Sequence, residues 1–313
     1  INAEYGEQNY QMQIPTTFIQ PQKLIINNRD LFSQFKFSKA YFFVSTFVEQ
    51  VSTVIRSKKY SDAPEPSPQI QMIMDILAQV KEVFNQTPPV KREHRYGNPS
   101  FLTFIDKLTL KVDELHAQIL HDVPDAIIEI KQYFLDMFGS YGRLDYGTGH
   151  ELNFICWFVC LLRLQILGTL DDLINFGLRV FPFYLEIVID IQNIYTLEPA
   201  GSHGAWSVDD YNLLSFVWGS SQLAGTNLDC KIIFNRDEVE KLKENLYMRQ
   251  MQNTYQVKSF ELVTNSPFIS EIHNKQDMNW EKINKGMLRH FQNEVLGKWP
   301  VIQHFWFGNI LGM

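Results

Sequence analysis

The chain has few cysteines, carries a deficit of positive charge and contains no long apolar run. Three cysteines in 313 residues leave no disulfide framework and suit a reducing compartment. Lys and Arg number 28 against 35 Asp and Glu, a net charge of −7. That is the wrong sign for a protein that holds nucleic acid on a broad basic face. The most apolar stretch, Phe154–Leu162, is interrupted by Arg163, well short of the roughly 20 residues a membrane span needs. No basic segment followed by an apolar one opens the sequence, so no secretory leader is expected. With 16 Gly and 13 Pro, collagen-like and linker compositions are excluded. These absences predict a soluble intracellular protein, cytoplasmic or also nuclear, with neither nucleic acid nor membrane as partner.

Named catalytic motifs are missing as well. GxxxxGK followed by Ser or Thr does not occur: Gly297-Lys298 is followed by Trp299, and position 292 is Gln292. There is no HExxH, no CxxC and no GxSxG, so zinc protease, thiol-redox and α/β-hydrolase chemistry lack their usual carriers. Cys156 and Cys160 share one face of an apolar stretch, where packing is their expected role.

What is abundant is apolar and aromatic. Apolar residues make 45% of the chain and Phe alone counts 24, enough to exclude disorder. The dominant period is helical. After Ser67-Pro68 come Ile70, Ile73, Met74, Leu77, Val80 and Phe84, one stripe closed by Thr87-Pro88-Pro89. Phe101, Phe104, Ile105, Leu108, Val112, Leu115 and Ile119 make a second stripe. Trp280, Ile283, Met287, Leu288, Phe291 and Val295 make a third. Leu152–Leu167 is apolar almost all round, as a helix surrounded by helices would be. Val239, Leu242, Leu246 and Tyr247 suggest one more helix. Ile187–Ile191 is β-branched, but Tyr184, Ile187, Val188, Ile191 and Tyr195 fit a helix with Pro182 near its start. No hairpin series or βαβ alternation is visible, so an all-α, multi-helix fold is predicted.

Two loops are rich in glycine, polar and aromatic residues, while Ser57–Pro68 and Pro88–Pro99 read as solvated connectors. The first rich loop spans Gly139–Glu151. Its Tyr146-Gly-Thr-Gly-His-Glu151 run allows close backbone approach and stands ahead of the helix expected from Leu152. Helix-start N–H groups attract anions, Thr148 adds a hydroxyl and Arg143 a fork of donors. A phosphate or carboxylate site fits these residues. So does a tight turn with a helix cap, in which Glu151 favours the positive helix end. The second loop, Glu198–Tyr211, holds Gly201-Ser202-His203-Gly204, Trp206 and Asp209-Asp210. A carboxylate there suits either a first-turn cap or Mg²⁺. A Ser202, His203, Asp209 triad is disfavoured because adjacent side chains rarely face each other. The last segment, Gly297–Gly308, is either a core-docking tail or a pocket wall in which Gln303 and His304 present donors and acceptors.

Taken together, the motifs resemble the phosphotyrosyl phosphatase activator family, the activators of serine/threonine protein phosphatase 2A. The resemblance is carried by Arg143–Glu151, Leu197–Trp206, Asp209-Asp210-Tyr211, Trp218–Leu223, Lys282–Met287 and Pro300–Phe305. Thr87–Val90 and Tyr96-Gly-Asn98 add weaker support. It covers about Ile14 to Gly308 and implies one activator domain over residues 1–313 with core, linker and lid subdomains, its pocket lined by loops 139–151 and 198–211. It also implies ATP with Mg²⁺ in a deep pocket and a phosphatase 2A-like catalytic subunit as partner. By the same resemblance, nucleotide contacts fall on Arg143, Thr148, Gly149, Pro300, Gln303 and His304. Metal contacts fall on the Gly204 carbonyl and Asp210. This favours the phosphate-site reading of the first loop. A prolyl cis-trans isomerase activity on the phosphatase or a proline-containing peptide is the family's second implied activity. Its candidate groove residues are Trp206, Trp218, Asp209 and Asp210.

Overall fold

The computed structural model describes residues 14–91, 96–200, 211–257 and 266–313. Helices begin where capping residues stand. α1 (Arg29–Phe35), α2 (Lys39–Val54) and α3 (Pro68–Asn85) start on Asn28, Ser38 and Ser67, whose side-chain oxygens accept first-turn N–H groups. α4 (Ser100–Ala117) and α5 (Ile127–Asp136) follow. β1 (Asp145–Tyr146) leads directly into α6 (Thr148–Arg163). α7 (Leu170–Asn175) opens on a reciprocal capping box between Thr169 and Asp172. A π-helical turn, Phe176–Val180, joins it to α8 (Phe181–Ile194). That wide turn admits Pro182 at the second position of α8, so the missing donor interrupts no regular ladder. After β2 (Glu198–Pro199) come α9 (Leu213–Leu223), α10 (Arg236–Lys241) and α11 (Leu246–Val257). α12 (Pro267–Asn274), α13 (Trp280–Phe291) and α14 (Trp299–Ile302) complete the order.

The fold is all-α, as the apolar period predicts, with three departures. The helix expected across Val239–Tyr247 is two, α10 and α11. The Asn245 side chain caps the second by accepting the Met248 N–H at 3.0 Å and donating to the Gly219 carbonyl. α6 opens at Thr148 rather than Leu152. β1 and β2 form a short parallel pair, Asp145 opposite Glu198 and Tyr146 opposite Pro199, which apolar periodicity does not announce.

Two helices lie at the centre. α6 buries Phe154, Trp157 and Phe158 together with Cys156 and Cys160, both free thiols. α9 is buried at every position and packs against α2, α11 and α13. Its polar residues pair inside: Ser215 Oγ donates to the Asn212 carbonyl, and Ser221 Oγ to that of Ser52. Asn284 Nδ2 from α13 donates to the Val217 carbonyl at 2.9 Å. Satisfied in this way, buried polar groups do not penalise the core. Gly219 is required here, since a Cβ at that position would stand 2.0 Å from the Tyr247 nitrogen. None of the described helices is long and apolar enough to cross a membrane.

The first described segment and the C-terminal segment meet over α5. Gln22 and Phe307 exchange main-chain hydrogen bonds, each 2.9 Å. The Glu129 carboxylate, 1% exposed, accepts the N–H groups of Ile19, Asn309 and Ile310. One buried carboxylate thereby fixes the N-terminal and C-terminal segments on one wall of the site.

Candidate functional site

The loop after α5 is closed by its own backbone. Ser140 N–H donates to the Asp145 carbonyl at 2.9 Å and Leu144 N–H to the Ser140 carbonyl at 2.8 Å. Leu144 takes a left-handed backbone, φ 53°, a strained choice for a residue with a side chain. It is held there because its carbonyl accepts the Glu198 N–H at 3.0 Å, the first bond of the β1–β2 pair. The second is Ala200 N–H to the Tyr146 carbonyl at 2.8 Å. The Tyr146 hydroxyl is buried against that of Tyr184, 2.8 Å away. Gly147 fits between the strands and α6 because a Cβ there would meet Ala200 at 3.0 Å. The first loop and residues Glu198–Ala200 are thus one unit, and α6 starts from it with its first N–H groups outside the helical ladder.

A cavity of about 260 Å³ lies between this unit and the C-terminal segment, near the lower end of small-molecule pockets. Arg143, Gly149 and His150 form one side, and Pro300, Val301 and His304 the other. Arg143 Nε donates to Asp145 Oδ2 at 2.6 Å, which steers the guanidinium while its terminal nitrogens stay uncommitted to that bond. His150 Nδ1 donates to the Asp136 carbonyl at 2.5 Å. Its Nε2 lies 3.5 Å from Asp145 Oδ1, an oxygen with no hydrogen bond of its own. Burial pushes the Asp145 carboxyl up, but neighbouring His150 and Arg143 outweigh it and leave it below its ordinary value. His304 is held below the ordinary imidazole value by burial first, then by the charges of Arg143, Lys23 and His150. The site therefore combines a helix start, a steered guanidinium and a neutral imidazole, the donors a phosphate-bearing anion needs.

Of the residues expected at a nucleotide site, Arg143, Gly149, Pro300 and His304 line this cavity. Thr148 opens α6 beside Gly149 without entering the wall, and Gln303 turns its amide to the Pro300 carbonyl at 3.3 Å. Gly204, Asp210, Trp206 and Asp209 lie outside the described residues, as do Ser202, His203, Arg92, His94 and Arg95. Among the described residues no cluster of three metal-binding side chains occurs. Trp218 is not a groove residue: it is fully buried and donates Nε1–H to the Val48 carbonyl at 3.1 Å. Glu151 does not serve the start of its own helix either. It is buried, and its Oε2 accepts the Leu214 N–H of α9 at 2.9 Å. The C-terminal segment docks into the core through Phe305 and Phe307, while of its two expected pocket residues only His304 lines the cavity. Sequence reasoning missed Lys23, Asp136 and His150 as cavity residues. His150 stood inside the quoted motif and was within reach; Lys23 carries no local signal.

A family model described as phosphotyrosyl phosphate activator (PTPA) protein matches residues 21–313. The probable serine/threonine-protein phosphatase 2A activator 1 of Dictyostelium discoideum is 37% identical over 94% of this chain and 90% of its own length. The serine/threonine-protein phosphatase 2A activator 1 of Schizosaccharomyces pombe is 35% identical over 97% and 94%. The crystal structure of the PP2A phosphatase activator Ypa1 matches with a TM-score of 0.81 at 28% identity, covering 94% of each chain.

Proposed function

The chain belongs to the phosphotyrosyl phosphatase activator family, and from that premise we propose that it activates a serine/threonine phosphatase of the 2A class by binding its catalytic subunit. We propose further that it does so with ATP and Mg²⁺ held at the cavity between α6 and α14. The observation that carries the second statement is the Arg143 guanidinium, steered by Asp145 to the cavity that the start of α6 and His304 also border. Fixed donors around a developing or resting anion cost little reorganisation on binding. Gly149 leaves the helix start open, since a Cβ there would meet only Val301, at 3.6 Å. When bound, ATP with its cation supplies a chain of phosphate oxygens between activator and phosphatase. Arg143 and the α6 start would hold that chain, and the Gly204 carbonyl and Asp210 would hold the cation. The acidic chain does not oppose this, because the local field decides.

Calorimetry with Mg²⁺–ATP, in the presence and absence of the phosphatase catalytic subunit, tests both parts. Asp210→Ala should weaken nucleotide binding by about 10- to 100-fold, the loss of a charged oxygen contact, and phosphatase activation should fall with it. Asp209→Ala, the loss of the neighbouring acid, should leave affinity nearly unchanged. The reverse pattern, with Asp210→Ala unfolding the protein at intact affinity, overturns the metal assignment. Absence of ATP binding with or without the phosphatase overturns the nucleotide part.

A further inference from the structure

The wall of the cavity that sequence motifs do not announce is built where the segment around Gln22 pairs with the C-terminal segment. The Gln22–Phe307 pair places Lys23 beside Trp306. Trp306 is itself fixed twice: its carbonyl accepts the Tyr133 hydroxyl at 2.5 Å, and its Nε1–H donates to Asp136 Oδ2 at 2.8 Å. The Lys23 ammonium sits 4.3 Å from the Trp306 ring centroid. It lies 3.7 Å from the same Asp136 oxygen, beyond hydrogen-bond distance. An ammonium has three donors to give, and among the described residues none of those of Lys23 is hydrogen-bonded to a side chain or carbonyl. Its stem is packed, the side chain being 29% exposed, and it lines the cavity opposite Arg143 and Gly149. A lysine resting on a ring face, with a carboxylate near enough to hold it but too far to bond it, can reach a stronger anion at little cost.

We propose that Lys23, carried into the cavity by the Gln22–Phe307 pairing and seated on Trp306, is a further anion-binding residue that selects ligands bearing a polyphosphate chain. This rests on the nucleotide reading of the same cavity and names a determinant which that reading lacks. Asp136 is the competing partner: it retains the Trp306 bond when Lys23 turns to phosphate, and its own charge opposes the ligand. Lys23 and Asp136 therefore act in opposite directions on the same affinity.

The experiment is calorimetric titration of the full chain with Mg²⁺–ATP, with inorganic tripolyphosphate and with adenosine. Lys23→Gln should weaken ATP and tripolyphosphate by about 5- to 20-fold, a charged contact discounted for partial exposure. Adenosine binding and the ligand-free thermal midpoint should not move. Lys23→Arg should recover most of the loss, and Asp136→Asn should tighten ATP by about 2- to 5-fold with the Trp306 bond kept by the amide oxygen. Equal losses for adenosine and ATP would show a structural role and overturn the proposal. Unchanged ATP affinity in Lys23→Gln, with wild type binding ATP, overturns the Lys23 assignment alone. Wild-type protein that binds neither ATP nor tripolyphosphate overturns this proposal and the nucleotide reading together.

Discussion

Glu151 stands in the motif that names the family, yet the chemistry it does is inside the core. Burial drives its carboxyl up to about 8, against the lowering effect of the Leu214 and Leu213 N–H groups. Its Oε1 has no hydrogen-bond partner, so a neutral acid suits the position better than a carboxylate. The sign follows from linkage. In the unfolded chain the group titrates near 4.5, so at neutral pH the folded state holds a proton that the unfolded state has released. This contribution is fully present below about 4.5 and is lost as pH rises toward about 8, at up to about 1.4 kcal/mol per pH unit. Glu151→Gln keeps an oxygen for the Leu214 N–H and removes the titration. The difference in thermal midpoint between variant and wild type should therefore grow in favour of the variant from pH 5 to pH 8. Parallel curves would show that Glu151 is ionised in the fold.

At the scale of helices, the decisive contact is between α9 and α11. Gly219→Ala would place a methyl 2.0 Å from the Tyr247 nitrogen and 2.7 Å from its Cα. No rotamer relieves a clash with backbone, so the helices must part. The expected loss is about 3 kcal/mol, read as a fall of roughly 5–10 °C in thermal midpoint, with the helical circular dichroism of the folded protein retained. An unchanged midpoint would mean that α11 is not seated on α9. The same pair shows what a sequence discloses. That Ile283 and Met287 face a core was legible from their helical period; that Trp218–Leu223 is helical was not. That Trp218-Gly-Ser-Ser-Gln222 belongs to the core rather than to a site was not, because small and polar residues serve a close helix contact and a ligand equally well. Asn284 shows the same ambiguity: its amide reaches Val217, Ser220 and Ser52, three partners far from it in sequence. Spacing fixes which face of a helix is apolar and leaves open which helix it meets. The split between α10 and α11 was hidden for a related reason, since the apolar positions keep their period across a break made by Asn245 and its long-range partner Gly219. The local part of the site, Arg143 and Gly149, was legible because one stretch carries it, although His150 in the same stretch was passed over. Lys23 was not legible, because the Gln22–Phe307 pairing joins segments far apart in sequence.

Across the whole molecule, a chain of net charge −7 gathers Lys23 from its beginning, Arg143 and His150 from its middle and His304 from its end around one cavity. Burial first, then Arg143, Lys23 and His150, keep His304 below its ordinary value near 6.5, and Asp145 acts the other way. Asp136, on the same wall, is engaged by Trp306 and Lys23. Two consequences of opposite sign follow. Without ligand, the unfolded chain binds the His304 proton more readily than the fold does, so this group takes stability away as pH falls below about 6.5. With a polyphosphate in the cavity, the added negative charge raises the imidazole pKa and the complex takes up a proton. Affinity should then rise as pH falls through the range of the ligand-bound imidazole, by at most tenfold per unit, and level off below the ligand-free pKa. Titration of the phosphate itself runs the other way, since a protonated phosphate is a weaker anion. His304→Gln shares that ligand effect and lacks the imidazole, so the difference between the two proteins isolates His304. Calorimetry in two buffers of unlike protonation enthalpy reads the same event directly. Wild type should take up a fraction of a proton more than His304→Gln when Mg²⁺–ATP binds at pH 7. Equal proton uptake by both proteins would place the phosphate chain away from His304 and leave Arg143 and Lys23 to hold it.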